Sequence, residues 1–115
     1  MRLIALAVLA ALTVTPAFSQ SGLPDGVDKL LTCGHVYLMK SEDAKTAGDT
    51  GGEAEFFNRG DNLLWQARTT MESAGMSADA AEGAVMNAAL TIGFRYGAGE
   101  AETMLAECLA AEDSP

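Results

Sequence analysis

The chain has 115 residues, with sixteen Asp/Glu against seven Lys/Arg and a net charge of −9 at neutral pH. This excess of carboxylates argues against nucleic acid as a partner, because proteins that bind phosphate backbones need a basic face. It argues equally against docking on an anionic membrane surface.

Residues 1–19 have the pattern of a secretory signal peptide. Arg2 gives a positive start, residues 3–14 are apolar apart from one threonine, and small residues stand at Ala17 and Ser19. The apolar run is too short to span a membrane as a helix. We therefore expect one exported domain over residues 20–115, periplasmic or secreted. It would carry six Lys/Arg against sixteen Asp/Glu, a net charge of −10.

Cys33 and Cys108 are the two cysteines of the sequence. In an oxidising compartment an isolated pair is most simply a disulfide. Chain entropy predicts that closing so long a loop stabilises the fold by about 4–5 kcal/mol. The alternative is two free thiols acting as metal ligands or redox groups, but there is no Cys-x-x-Cys and one histidine is too few for a zinc-type site.

Apolar residues recur at helical spacing along most of the chain and predict two long helices in its first part. The first begins at an Asp25 N-cap and runs to about Ala47. The second begins with a Thr50–Glu53 capping box. It ends at Gly75, which we expect in the left-handed conformation that follows many helices.

A third long helix begins at a Ser77 N-cap and is interrupted by residues 97–99, which include two glycines. A short last helix follows from about Glu100 and carries Cys108 inward. No segment has the alternation of a strand. The sequence therefore predicts an all-α fold: a small antiparallel bundle of three main helices and a short C-terminal helix, stapled by Cys33–Cys108.

The third predicted helix is apolar on two opposite sides. Its main face carries the residues Ala81, Ala84, Val85, Ala88, Ile92 and Tyr96. A second apolar line, Met86, Leu90 and Phe94, lies on the far side. A helix of this kind is either central in its bundle or covered by a partner. We interpret the second line, together with Trp65 on the second helix, as a candidate partner face. The alternative is that the first helix covers it.

His35 is the single histidine, and Met39 follows it one helical turn later. Imidazole and thioether ligands suit copper, so these two residues are weak candidates for a metal site. A tight site needs three or four convergent ligands, whereas a boundary histidine with a partly packed ring needs none. The sequence therefore predicts no cofactor.

Other candidate chemistry has simpler explanations. Asp49-Thr50-Gly51 matches the aspartic protease tripeptide but lies between two predicted helices, so it is interpreted as a loop and cap. Arg95 is expected either at the rim of an apolar face or inside with an acidic partner. Two surface ion pairs are expected at i,i+4 spacing: Glu55–Arg59 and Arg68–Glu72. No catalytic arrangement is present, and we expect no enzyme activity.

The overall plan, an exported helical protein with one long-range disulfide, resembles that of the small acid-activated periplasmic chaperones of enteric bacteria. In strong acid the carboxylates would be neutral, and repulsion between the remaining cations could open the bundle and expose apolar faces to a client. We expect a binding, protective or accessory module of the bacterial envelope. The alternatives are a small metal carrier using His35 and Met39, a subunit of a larger envelope complex, or a purely structural envelope protein.

Overall fold

The computed structural model describes residues 22–112, and these residues form four helices with no β-strand. The helices are α1 (Val27–Thr46), α2 (Thr50–Ser73), α3 (Ala78–Arg95) and α4 (Ala101–Glu112). The predicted all-α fold of three main helices and a short C-terminal helix is confirmed. The predicted signal peptide lies outside the described residues. Within those residues, no helix is long and apolar enough to cross a membrane.

The helix starts differ from prediction at two of three positions. Gly26, with φ 85°, precedes α1 and provides no side-chain cap, so Asp25 is not the N-cap. Asp49 rather than Thr50 caps α2, because its Oδ1 accepts a hydrogen bond from the Gly52 amide at 2.9 Å. A carboxylate there satisfies one of the orphan amides of the first turn. Ser77 caps α3 as predicted and accepts from the Ala80 amide.

The predicted stop at Gly75 is confirmed, and its geometry explains the choice of glycine. Gly75 has φ 102°, and its amide donates to the Glu72 carbonyl, while the Met76 amide donates to the Met71 carbonyl. This double hydrogen bond is the Schellman ending, which needs a left-handed residue after the helix. Gly48 ends α1 with φ 78°. The chain therefore reverses sharply after α1 and again after α2.

α1 and α2 approach most closely where two glycines face each other. A Cβ on Gly60 would lie 2.7 Å from the Gly34 carbonyl oxygen, and one on Gly34 would lie 2.7 Å from Leu64 Cδ2. The Gly34 carbonyl belongs to the backbone and cannot turn aside as the end of a side chain can, so it is Gly60 that requires the absence of a Cβ here. α1 and α2 are also the most extensively packed helix pair of the described chain.

The core consists of two clusters of buried residues, and α1 contributes to both. The first cluster joins α1, α2 and α3 and contains Val27, Leu31, Leu64, Ala67, Met71, Ala81 and Val85. The second joins α1 and the C-terminal part of the chain and contains Cys33, Val36, Tyr37, Ile92, Met104 and Cys108. Of the four helices, α1 contacts each of the other three.

α1, and not α3, is therefore the central helix. Nine residues of α1 are buried, including the five consecutive residues from Cys33 to Tyr37, whereas only three residues of α3 are buried. One of the two explanations offered for the apolar sides of α3, a central position in the bundle, is wrong. The apolar pattern within α3 defines its faces, but it carries no information on which helix covers each face.

The C-terminal part of the chain returns to α1 through a kink and a disulfide. Gly99, with φ 101°, lies in the turn Tyr96–Glu100 between α3 and α4. The Tyr96 hydroxyl donates to Asp43 Oδ2 at 2.6 Å, which ties this turn to α1. Cys33 and Cys108 form the predicted disulfide, with Cα atoms 5.5 Å apart. The bridge holds α4 against the middle of α1.

Candidate functional site

Three large apolar side chains stand in line on the uncovered side of α3. Met86, Leu90 and Phe94 follow each other at intervals of four residues, and 62%, 76% and 79% of their respective surfaces are exposed. The buried residues of α3, Ala81, Val85 and Ile92, lie on the opposite side of the helix and face the core. α1 does not cover the Met86–Leu90–Phe94 line, so one of the two arrangements considered for it is absent from the described chain.

Trp65 on α2 is brought towards the same surface by an ion pair. Arg68 lies one helical turn after Trp65, and Glu82 lies one turn before Met86. Since Arg68 and Glu82 are in contact at 2.8 Å, the turns that carry Trp65 and Met86 are neighbours. The indole is 62% exposed. We call Trp65, Met86, Leu90 and Phe94 the outer face.

An ion pair bridges α2 and α3 beside the outer face. Arg68 donates through Nε to Glu82 Oε2 at 2.8 Å and through a terminal nitrogen to Oε1 at 3.4 Å. Arg68 therefore pairs with Glu82 on the neighbouring helix and not with Glu72 as predicted. A guanidinium that bonds both oxygens of one carboxylate forms a stronger ion pair than a single hydrogen bond does. The other predicted pair, Glu55–Arg59, is present at 3.4 Å. Arg59 also bonds Glu112 at 3.1 Å.

Three further carboxylates lie on the same exposed sides of α2 and α3 as Trp65 and Met86. Asp61 and Glu72 lie one turn before and two turns after Trp65 on α2, and Asp79 lies two turns before Met86 on α3. All three are exposed, and none forms an ion pair within residues 22–112. The guanidinium of Arg68 is already paired with Glu82. The Trp65–Met86 end of the outer face is therefore acidic.

His35 is buried and makes a contact that the sequence did not reveal. Its Nε2 lies 2.9 Å from the backbone carbonyl of Val85 and so joins α1 to α3. Burial lowers the pKa of His35 below its usual value; the hydrogen bond to Val85 opposes this change, and the charge on Arg68 contributes to it. The neutral imidazole is the form that suits this position.

The candidate metal ligands do not converge with other ligands. The hydrogen bond to Val85 engages Nε2 of His35, and Met39 packs its half-buried side chain against the second core cluster. Between residues 22 and 112, no group of three His, Cys, Asp or Glu side chains is placed to hold a metal ion.

Arg95 lies at the rim of the apolar face of α3 and not inside the bundle. Its exposed guanidinium bonds Glu100 at 3.0 Å.

A groove runs between α1 and α3 on another side of the molecule from Met86. It has a volume of about 500 Å³, with Leu31, Ala88 and Ile92 along its floor. Thr32 and Arg95 also border a smaller groove that reaches the disulfide. This groove could not be predicted from the sequence, because its walls come from helices far apart in the chain. Its apolar floor and polar rim are features of small-molecule sites.

Comparison of the chain with family models, curated proteins and solved structures found no match. Functional inference therefore rests on the geometry of the chain itself. Of the surfaces described, the outer face has the most exposed large apolar side chains, and carboxylates border it near Trp65 and Met86.

Proposed function

We propose that this protein is an exported binding module that docks a protein partner through the outer face. The supporting observation is the alignment of Met86, Leu90 and Phe94, each more than half exposed, along one side of α3. Single exposed apolar residues are common on protein surfaces, whereas an aligned group of large ones is typical of an interaction site. An envelope location is part of the proposal and is supported by the signal-like residues 1–19 and the disulfide.

The exposed side chains of the outer face would gain free energy on being covered by a partner. Burying a Met, Leu or Phe side chain completely is worth about 1.5–3 kcal/mol relative to exposure. The outer face forgoes most of this stabilisation in the isolated chain, and a partner that covers it would recover it. Tryptophan, as at Trp65, is enriched among the residues that dominate binding energies, and phenylalanine, as at Phe94, is enriched in interfaces.

Binding in this proposal does not depend on acid. The outer face is exposed in the folded bundle, so no opening of the helices is needed to present it. This separates the proposed function from the acid-activated chaperones that the overall plan resembles. A metal carrier finds less support, because one nitrogen of His35 is engaged by Val85 and the half-buried Met39 packs against the second core cluster.

The test uses a photo-crosslinking residue at position 90 in cells that export the protein. We expect a discrete crosslinked product that is lost when Phe94 is replaced by Asp. A crosslinker at Phe57 serves as the matched control, since Phe57 is also exposed but lies beside Ser41 and Thr50. Equal crosslinking from positions 57 and 90, unaffected by Phe94→Asp, would contradict the proposal.

A further inference from the structure

We infer that the partner segment is a basic amphipathic helix: one apolar stripe that packs on the outer face, flanked by Lys or Arg side chains that meet its surrounding carboxylates. This inference rests on the proposed function and adds the chemistry of the partner. It follows from which charges border the outer face and from which of them are already paired within the chain.

The carboxylates that border the outer face lie at its Trp65–Met86 end. Asp61, Glu72 and Asp79 lie on the same exposed stripes as Trp65 or Met86, and none of the three has a cationic partner in the described chain. Two arginines of the described chain border the outer face, and both are paired: Arg68 with Glu82 at 2.8 Å, and Arg95, which follows Phe94, with Glu100 at 3.0 Å. A partner with like charge would meet uncompensated repulsion here, whereas a basic one would gain complementary contacts.

The shape of the outer face fits a helix better than an extended strand. A strand binds by adding to the edge of a sheet, and residues 22–112 contain no sheet. The apolar line of α3 extends over two helical turns from Met86 to Phe94, with Trp65 beside its first member. An amphipathic helix with apolar residues at i, i+4 and i+7 can lie along such a line.

A second copy of this chain matches the outer face poorly. Two copies would bring together identical acidic surroundings, and each exported domain carries sixteen Asp/Glu against six Lys/Arg. Docking between like surfaces of that charge is opposed at low salt. The electrostatic argument therefore favours a partner of opposite sign.

The experiment measures binding of three designed helical peptides of about 18 residues, or five turns. They share one Leu/Phe stripe and differ only in their flanking residues: Lys, Gln or Glu. The emission of Trp65 reports binding, because it is the single tryptophan of the chain. We expect the Lys peptide to shift that emission to shorter wavelength and to bind roughly tenfold or more tighter than the Gln peptide, with the advantage shrinking as salt is added.

Two matched pairs of substitutions locate the charge effect. Asp61→Asn with Asp79→Asn should weaken binding of the Lys peptide several-fold. Glu53→Gln with Glu102→Gln removes the same charge from other parts of the surface and should leave the affinity nearly unchanged. Leu90→Asp should remove binding of every peptide, because it places a charge in the middle of the apolar line.

The outcomes separate this inference from the proposed function. If the Gln or Glu peptide binds as tightly as the Lys peptide, or if both charge pairs weaken binding equally, the basic partner is wrong and the apolar docking face stands. If no peptide binds, or Leu90→Asp leaves binding intact, both are wrong. A dimer in sedimentation that Leu90→Asp dissociates would replace the basic partner by a second copy of the chain.

Discussion

α1 and α3 are neighbours of similar length that are used in different ways. α1 carries six charged residues, all near its two ends, yet nine of its residues are buried and it contacts every other helix of the described chain. α3 has no charged residue between Glu82 and Arg95, yet only three of its residues are buried. The more apolar helix is the less covered one.

The contrast in burial between α1 and α3 distinguishes residues that stabilise the fold from exposed apolar residues that do not. α1 gains its central position from a glycine contact, a disulfide and a buried histidine, not from apolar content alone. α3 contributes one stripe to the core and leaves large side chains in solvent on its other side. We therefore interpret α1 as the scaffold of the bundle and α3 as the helix that presents the binding surface.

Reducing the disulfide should give the largest loss of stability. The bridge joins residues 75 positions apart, and chain entropy predicts a stabilisation of about 4–5 kcal/mol from closing such a loop. Urea unfolding of the oxidised and reduced protein measures the difference. Coincident unfolding curves would show that α4 does not need this tie to α1.

Gly60→Ala should destabilise the bundle by about 1–3 kcal/mol, because the new methyl group meets the Gly34 carbonyl and forces α1 and α2 apart. Thermal unfolding followed by circular dichroism measures the loss. A variant as stable as the wild type would mean that the two backbones are not in close contact.

Gly83→Ala is the matched change on α3, and we expect the opposite sign. A Cβ at Gly83 meets no atom within 4 Å, and alanine is favoured over glycine inside a helix by about 1 kcal/mol. The same unfolding measurement should show a small gain in stability. A loss of stability would indicate that an element of this chain packs on the outer side of α3.

His35 should make stability depend on pH in a defined direction. Burial lowers its pKa in the folded state, so the unfolded chain takes up a proton first as the pH falls. The stabilising contribution of neutral His35 is present above pH about 6.5, the unfolded value, and decreases as the pH falls below it.

The control for this effect is His35→Gln, which can still donate a hydrogen bond to the Val85 carbonyl but does not titrate. We expect the free energy of unfolding to fall less between pH 7 and pH 5 in this variant than in the wild type. Denaturant titrations at the two pH values measure this free energy. An equal fall in the wild type and in His35→Gln would show that His35 is not the group responsible.

The ends of the helices could be predicted largely from the sequence because they depend on local chemistry. Ser77 and Gly75 satisfy backbone groups within a few residues of themselves, and both predictions are confirmed. The sequence places the cap of α2 one residue late, at Thr50 instead of Asp49, because both are good capping residues. Before α1, a left-handed glycine at position 26 took the place expected for Asp25.

Contacts between distant segments could not be predicted in the same way. The pairing of Gly34 with Gly60 and the hydrogen bond from His35 to Val85 depend on how the helices cross, which no local pattern encodes. The outer face was recognised as a candidate because its apolar residues follow helical spacing. Whether α1 covered it depended on the packing of the whole bundle.

The central claim is that the apolar residues of the outer face serve binding and not folding. Its most direct test is the free energy of unfolding of a triple variant, Met86→Ser, Leu90→Ser and Phe94→Ser, with Ile92→Ala on the inner side of α3 for comparison. We predict that the triple variant differs from the wild type by no more than about 0.5 kcal/mol per site, whereas Ile92→Ala costs about 2–5 kcal/mol. A loss of several kcal/mol per substitution in the triple variant would contradict the claim, because it would place these side chains in the core.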